Sequence, residues 1–326
     1  MVIDRNAEFL AQDGNWSGIQ LLTPYEAAKT AKRIRVAVSV VTAPYLPIER
    51  SLSDLGFADI VPFYDLAESY RRQHPLSNGW FASPLSPEHQ AMTGEVLASW
   101  HDDVSRAHHL QFIAWRRLRE EWTFDLAAVN SSSRFFVAEI VDVLREDEVL
   151  LDAGAHHGIV INAFLNHTNG RFRGIAAIEP DASNRARLDE NIQRAVPGDR
   201  RVTVYDCALS VEDGEAIFHS DLDYASQLSQ TGRTRVTTRR LDTLGLSPTF
   251  VKLHIEGAEL AALKGARQTL TTCRPIVAAT VYHNDDGIWK TAQWLMETLP
   301  DYRFLFRNHS WCGTGSVIYA IPEERS

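Results

Sequence analysis

The stretch that most constrains this chain is Val149-Leu150-Leu151-Asp152-Ala153-Gly154-Ala155-His156-His157-Gly158. An apolar run ends in D-x-G-x-x-x-G and passes directly into a helix-like segment. Glycines at those positions let the backbone turn tightly against a ligand, and the N-terminus of the following helix presents free N–H groups. The spacing is not the G-x-G-x-x-G of a dinucleotide loop. From here on strand-like and helix-like segments alternate, which predicts a doubly wound α/β sheet. Strands are expected at residues 149–152, 174–178, 202–205, 250–255 and 276–281, with helices at 158–167, 182–194, 258–271 and 287–299. Residues 215–218 and 235–240 read as a hairpin insertion, and 302–306 and 316–321 as a closing antiparallel pair.

The region before this block is organised differently. Residues 35–41 form an apolar run, 47–55 are amphipathic, Gly56 is placed to end a helix, and 59–64 read as a second strand. The turn between them, 42–46, holds no glycine, so this small βαβ unit is not expected to bind a nucleotide. A loop rich in Pro, Ser and Asn is expected from Pro75 to Pro87, and long helical periodicity from Pro87 to about Trp122. Trp100, Ile113, Trp115, Leu118 and Trp122 recur there at helical spacing, as a packed helix face or as the wall of a substrate cleft. The division expected is an N-terminal α/β accessory domain over residues 1–130 and a ligand-binding α/β domain over 131–326.

Charge narrows the partners. The 326 residues carry 33 Lys and Arg against 42 Asp and Glu, a net −9. Binding to nucleic acid or to an anionic membrane rests on clustered Lys and Arg, so neither is expected, and a neutral or cationic small molecule fits better. Cys207, Cys273 and Cys312 are odd in number and widely spaced, and read as reduced thiols. With Asp4, Glu8 and Asp13 near the start and no apolar run approaching the roughly 20 residues of a membrane span, a soluble cytoplasmic protein is expected.

The spacing of Asp152, Gly154 and Gly158 resembles motif I of S-adenosylmethionine-dependent methyltransferases. The next strand ends in Ile178-Glu179-Pro180, which puts a carboxylate where it can accept both ribose hydroxyls of an adenosyl group. The third strand ends in Asp206-Cys207-Ala208, whose small residues can border an adenine ring. The fourth reads Lys252-Leu253-His254-Ile255-Glu256-Gly257, with Lys252, His254 and Glu256 on one side by strand alternation, and the fifth ends in Tyr282-His283. Each is a strand end, the place where an open α/β sheet binds its ligands.

Taken in order, LLDAGAHHG, IEP, ALS with DGEAIF, RRLDTL, VKLHIEGAELAALKGA and RPIVAATVYH resemble the FkbM family of S-adenosylmethionine-dependent O-methyltransferases, as do YRFLFRNHS and GSVIYA. The resemblance spans Phe135 to Ile321. It implies a Rossmann-like class I methyltransferase sheet of seven strands with the last antiparallel, S-adenosylmethionine as methyl donor, and a hydroxyl acceptor on a sugar or secondary metabolite. Two places depart from the family: its K-x-D-x-E-G is K-L-H-I-E-G here, with His254 in place of Asp, and His156-His157 stand in the glycine loop where Asn or Tyr is more usual.

Methyl transfer to an alcohol needs in-line positioning and removal of the hydroxyl proton. His254 and His283 are the candidate bases, with Lys252 as a charge-holding or depressed-pKa alternative. Asp152, Gly154, Gly158, Glu179, Asp206 and Ala208 are the expected cofactor-binding set, and His156 and His157 are loop residues that can contact cofactor or acceptor. A divalent ion on His254, Glu256 and His283 is the alternative use of those side chains. Tyr282, Trp289 and Trp311 are core aromatics or a platform for a sugar face. Two rival readings of the whole chain are a non-catalytic ligand-binding scaffold and a metal-dependent hydrolase.

Overall fold

Seven strands form the central sheet of the computed structural model, which describes residues 1–30, 33–70 and 84–325. Their spatial order is Tyr302–Asn308, Ser316–Pro322, Ile276–Thr280, Phe250–Leu253, Val149–Ala153, Gly174–Ile178 and Val202–Tyr205. All run parallel except Ser316–Pro322, which pairs antiparallel with both of its neighbours. The expected seven-stranded sheet with its last strand reversed is therefore present.

The chain enters the sheet at Val149–Ala153, steps outward twice, then returns to place Phe250–Leu253 on the other side. That reversal is a topological switch point, and a crevice opens there at the carboxyl ends of the strands. The strands read as continuous apolar runs because both faces are covered. Leu150, Phe250 and Ala278 pack on one face with Ile161, Phe164 and Leu188. Leu151, Val251 and Ala279 pack on the other with Leu263, Leu270, Ile288 and Leu295.

Residues 1–130 contribute the expected βαβ unit, a parallel pair Arg35–Val38 and Asp59–Pro62 around the helix Tyr45–Asp54. Chain after Pro62 turns at once into the helix Phe63–Ser69, so the second strand is shorter than its sequence pattern. The loop expected over 75–87 lies largely outside the described residues. The single long helix expected after it is two, Pro87–Ser99 and Asp103–Leu118. The break is chemical: Asp102 caps the second helix by accepting the Ser105 N–H at 2.7 Å, and the His101 N–H is drawn to the Phe304 carbonyl.

Of the tryptophan stripe, Trp100 and Trp115 are buried, Trp100 stacked on Phe306. Leu118 and Trp122 are exposed, and none of the five residues of the stripe lines the crevice. Val96, Trp100 and Phe112 share one core with the central sheet, so the regions on either side of residue 130 are packed together. The helix expected over 258–271 is also interrupted, at Gly265, where any Cβ would lie 2.0 Å from the Ser210 carbonyl oxygen. No helix among the described residues is long and apolar enough to cross a membrane.

Candidate active site

The glycine turn is shaped by how close two backbones come. Gly154 follows the strand Val149–Ala153 with φ +72°, and a Cβ there would sit 2.0 Å from the His254 carbonyl oxygen. Only glycine satisfies both conditions. Gly158, at φ +83°, precedes the helix Ile159–His167, and a Cβ there would press on Leu188 at 3.0 Å. Its role is helix packing, away from the crevice.

Asp152 and Lys252 are not exposed to the crevice either. They are register partners on adjacent strands, 0% and 1% exposed, and their charges meet at 2.8 Å. Burial pushes the Asp152 carboxyl up and Lys252 opposes that shift. The Lys252 ammonium also donates to the carbonyls of Ala153 and Gly154, at 3.2 and 2.8 Å. The pair is a buried clamp beneath the turn, and Lys252 does not line the crevice.

Glu179 stands opposite the turn at the end of Gly174–Ile178. Its Oε2 accepts the His156 N–H at 2.8 Å and its Oε1 the Asp181 N–H at 3.0 Å. Burial raises its pKa while those two bonds oppose the rise. Asp206 instead points outward in an ion pair with Arg185 at 2.8 Å, because its strand has already ended at Tyr205. Gly154, Glu179, Ala208, His254 and Glu256 line one cleft; Asp152, Gly158, Asp206, Lys252 and His283 do not.

Sequence reasoning missed the far wall. The expected hairpin, Gly214–His219 with Thr234–Arg239, belongs to a separate four-stranded sheet, and its tip folds back over the cleft. Asp223, Tyr224, Ser226 and Gln227 come from that tip. The Tyr224 ring stacks on His156 with centroids 3.9 Å apart, and His156 Nε2 meets Asp223 Oδ1 at 2.5 Å. The tip is held by Asp181 Oδ2, which accepts from the Asp221 N–H and the Ser226 hydroxyl. Burial works against the Asp181 charge, yet hydrogen bonds from Ser183, Asp221 and Ser226 hold its pKa down at about 2. Nothing in the local pattern of 219–233 announces this tertiary contact.

At the other end of the cleft lies a polar cluster. The strand stops at Leu253 rather than continuing to 255, and Glu256 takes φ +53°, which folds its carboxylate back toward His254. His254 Nε2 lies 3.1 Å from Glu256 Oε1, 3.0 Å from the Tyr282 hydroxyl and 3.5 Å from Arg134 Nη2. His283 Nε2 lies 3.3 Å from the same Glu256 oxygen, and its Nδ1 3.0 Å from Glu259 Oε1. Burial, with the Arg134 cation adding to it, pushes the His254 imidazole down to about 3. Burial also acts on His283, but the carboxylates of Glu256 and Glu259 outweigh it and hold the ring well above its ordinary value. His283 lies between two glutamates behind the wall, which leaves His254 as the imidazole at the cleft wall. Tyr282 joins this cluster; Trp289 packs tilted against His89, and Trp311 packs into the N-terminal core.

Residues 152–307 match the family model described as the methyltransferase FkbM domain. Among solved structures, methyltransferase FkbM from Methylobacillus flagellatus KT superposes at TM-score 0.69 with 20% identity, over 98% of this chain and 82% of that one. Precorrin-6y C5,15-methyltransferase from Geobacter metallireducens GS-15 matches at TM-score 0.37 and 14% identity, over 61% of this chain and 95% of that one. The S-adenosylhomocysteine-bound Podospora anserina methyltransferase PaMTH1 matches at 0.36 and 12%, over 81% and 98%. No curated protein matches the sequence. Residues 152–307 are thus an FkbM methyltransferase domain, set in the fold described above.

Proposed function

We propose that this chain is an O-methyltransferase that holds S-adenosylmethionine in the cleft at these strand ends and methylates a hydroxyl of a sugar or secondary metabolite. The observation that carries the reading is the pairing of Gly154 with Glu179 across adjacent strand ends. One is a backbone cradle that a Cβ would fill, and the other a carboxylate fixed by two backbone N–H groups at the same wall. Glu179 suits ribose hydroxyls, Ala208 and Leu209 an adenine, and Gly154 the amino-acid end of the cofactor. When bound, the cofactor supplies an electrophilic methyl group on a sulfonium.

The chain's own residues do the rest. Asp152 and Lys252 fix the Gly154 carbonyl from below, and the tip of the insertion narrows the cleft from the side. Of Lys252, His254 and His283, we place only His254 at the acceptor, with Glu256 beside it, so that edge of the cleft holds and orients the hydroxyl. Glu179, Glu256 and Asp223 give the wall a negative character, which favours a neutral or cationic acceptor over an anionic one. Residues 1–130, taken as an accessory unit, brace the sheet edge through Trp100 and Ser105.

Calorimetry with S-adenosylhomocysteine tests the reading. The unaltered chain should bind it, and Glu179→Ala should weaken binding by about 1–3 kcal/mol, the cost of stranding hydrogen-bonded partners. Equal affinity in both would remove Glu179 from the site. Transfer is checked by S-adenosylhomocysteine formation with hydroxylated acceptors, and failure with every acceptor would leave the scaffold reading in its place.

A further inference from the structure

The polar cluster at the end of the cleft has the composition of a metal site, and we propose that His254, Glu256 and His283 bind one divalent transition-metal ion. His254 Nε2 and His283 Nε2 flank a single carboxylate oxygen, Glu256 Oε1, at 3.1 and 3.3 Å. Ligand atoms of all three residues fall within 4.8 Å of one another. Metal–ligand bonds of about 2.0–2.1 Å in a tetrahedral set put neighbouring ligand atoms about 3.3 Å apart, so the two edges have the length such an ion requires. Two imidazoles and one carboxylate suit Zn²⁺, Fe²⁺ or Co²⁺ rather than Mg²⁺ or Ca²⁺, which prefer all-oxygen shells.

Two further observations point to an ion rather than to a chance meeting of polar groups. The His283 side chain is 1% exposed, and its Nε2 is buried without a hydrogen bond among the described residues: it faces Glu256 Oε1 but is not aligned to donate to it. Its other nitrogen is fixed by Glu259 Oε1, and Glu259 is itself locked by the Thr280 hydroxyl and by the N–H groups of Ile255 and Gly257. A carboxylate that holds Nδ1 of a histidine orients Nε2 toward a metal, so Glu259 is a positioning residue. The charges around the cluster are Glu256, Glu259 and the Arg134 guanidinium, which donates to the Tyr282 hydroxyl; Lys252 is committed to Asp152.

Glu256 and His254 line the cleft and His283 lies behind them, so the ion's remaining position opens on the cleft. Resting on the proposed function, that position would take the acceptor oxygen and lower the pKa of its hydroxyl. The unusual His254 is then explained, since it supplies the second imidazole of the set.

The test uses the full-length chain, stripped with chelator and dialysed, titrated with Co²⁺ by calorimetry and by visible absorption. One equivalent should bind, with absorption bands of a low-coordinate site. Glu259→Gln should weaken Co²⁺ binding by about 10–100-fold, the usual effect of losing a residue that orients a ligand. His254→Asn, at a partly exposed position and therefore the safer variant for folding, should weaken it further. His157→Ala, in the separate cluster His156, His157 and Asp223, should bind Co²⁺ unchanged. Absence of binding in the unaltered chain overturns the proposal, as does binding that survives His254→Asn or is lost in His157→Ala. S-adenosylhomocysteine affinity is read separately, so a chain that binds Co²⁺ at His254 but no S-adenosylhomocysteine counts against the proposed function and not against the metal site.

Discussion

Lys252→Met separates a structural role for the Asp152–Lys252 pair from the catalytic role its sequence position suggests. Both side chains lie inside the sheet, and removing the ammonium strands a carboxylate that no water reaches. Breaking such a pair costs about 3–5 kcal/mol, whereas replacing both partners by apolar groups is often nearly neutral. With unfolding entropy of roughly 2.1 cal/mol/K per residue, a chain of this length loses about 4–7 °C of Tm for that penalty. Asp152→Val with Lys252→Met should recover part of the loss. The recovery is incomplete because the Ala153 and Gly154 carbonyls still lack the ammonium they accept from.

The pH dependence has a definite sign. Without Lys252 the folded-state pKa of Asp152 rises further above its unfolded value, so the folded protein binds the proton more readily. The deficit of the single variant should therefore shrink as pH is lowered from 7 toward 5. Thermal melts of the three proteins at both pH values decide the matter. A double variant that melts no higher than Lys252→Met refutes the buried-charge account. A Lys252→Met protein with unchanged Tm but abolished transfer would return Lys252 to the acceptor.

Two other outcomes follow from the geometry. Gly154→Ala should lower S-adenosylhomocysteine affinity at least 10-fold in calorimetry, because its Cβ would collide with the His254 carbonyl in a backbone conformation alanine disfavours; full affinity would mean that the turn does not shape the cleft. Burial holds His108, His109 and His309 at pKa values of about 4, 3 and 4, against about 6.5 unfolded. All three are neutral when folded at pH 7, so the unfolded chain takes up more protons below pH 6.5. Stability in denaturant titrations should be insensitive to these groups above that pH and fall by up to about 4 kcal/mol per unit between pH 6 and 4.5, and a flat profile there would contradict their burial.

The parts of this protein legible in its sequence are those governed by short-range periodicity. The parallel strands read as unbroken apolar runs because helices cover both faces of the sheet, so residues 174–178 and 202–205 were bounded to the residue. Gly154, Glu179, Ala208 and His254 were legible because their strands end at one edge and the fold brings those ends together. Asp152 and Lys252 sit in the same motifs, but register turns them toward each other inside the sheet, and register is a property of strand pairing that neither segment reveals alone. The breaks at Asp102 and Gly265 were hidden for a similar reason. Each depends on a partner far along the chain, Phe304 for one and Ser210 for the other.

The cluster at His254 shows how far such a limit reaches into function. Alternation along the strand puts Lys252, His254 and Glu256 on one side but could not foresee that the strand ends at Leu253. Past that end the backbone no longer alternates, and Glu256 in the left-handed region turns back so that one carboxylate oxygen meets two imidazoles. His283, from the neighbouring strand, reaches the same oxygen only because Glu259, one helical turn later, fixes its ring. The six-residue stretch from His254 to Glu259 therefore supplies one ligand, folds a second back onto it and orients a third. Within the single segment K-L-H-I-E-G-A-E, the replacement of Asp by His is what converts a carboxylate-rich edge into one with two nitrogen donors and a carboxylate, the donor set on which cobalt binding will depend.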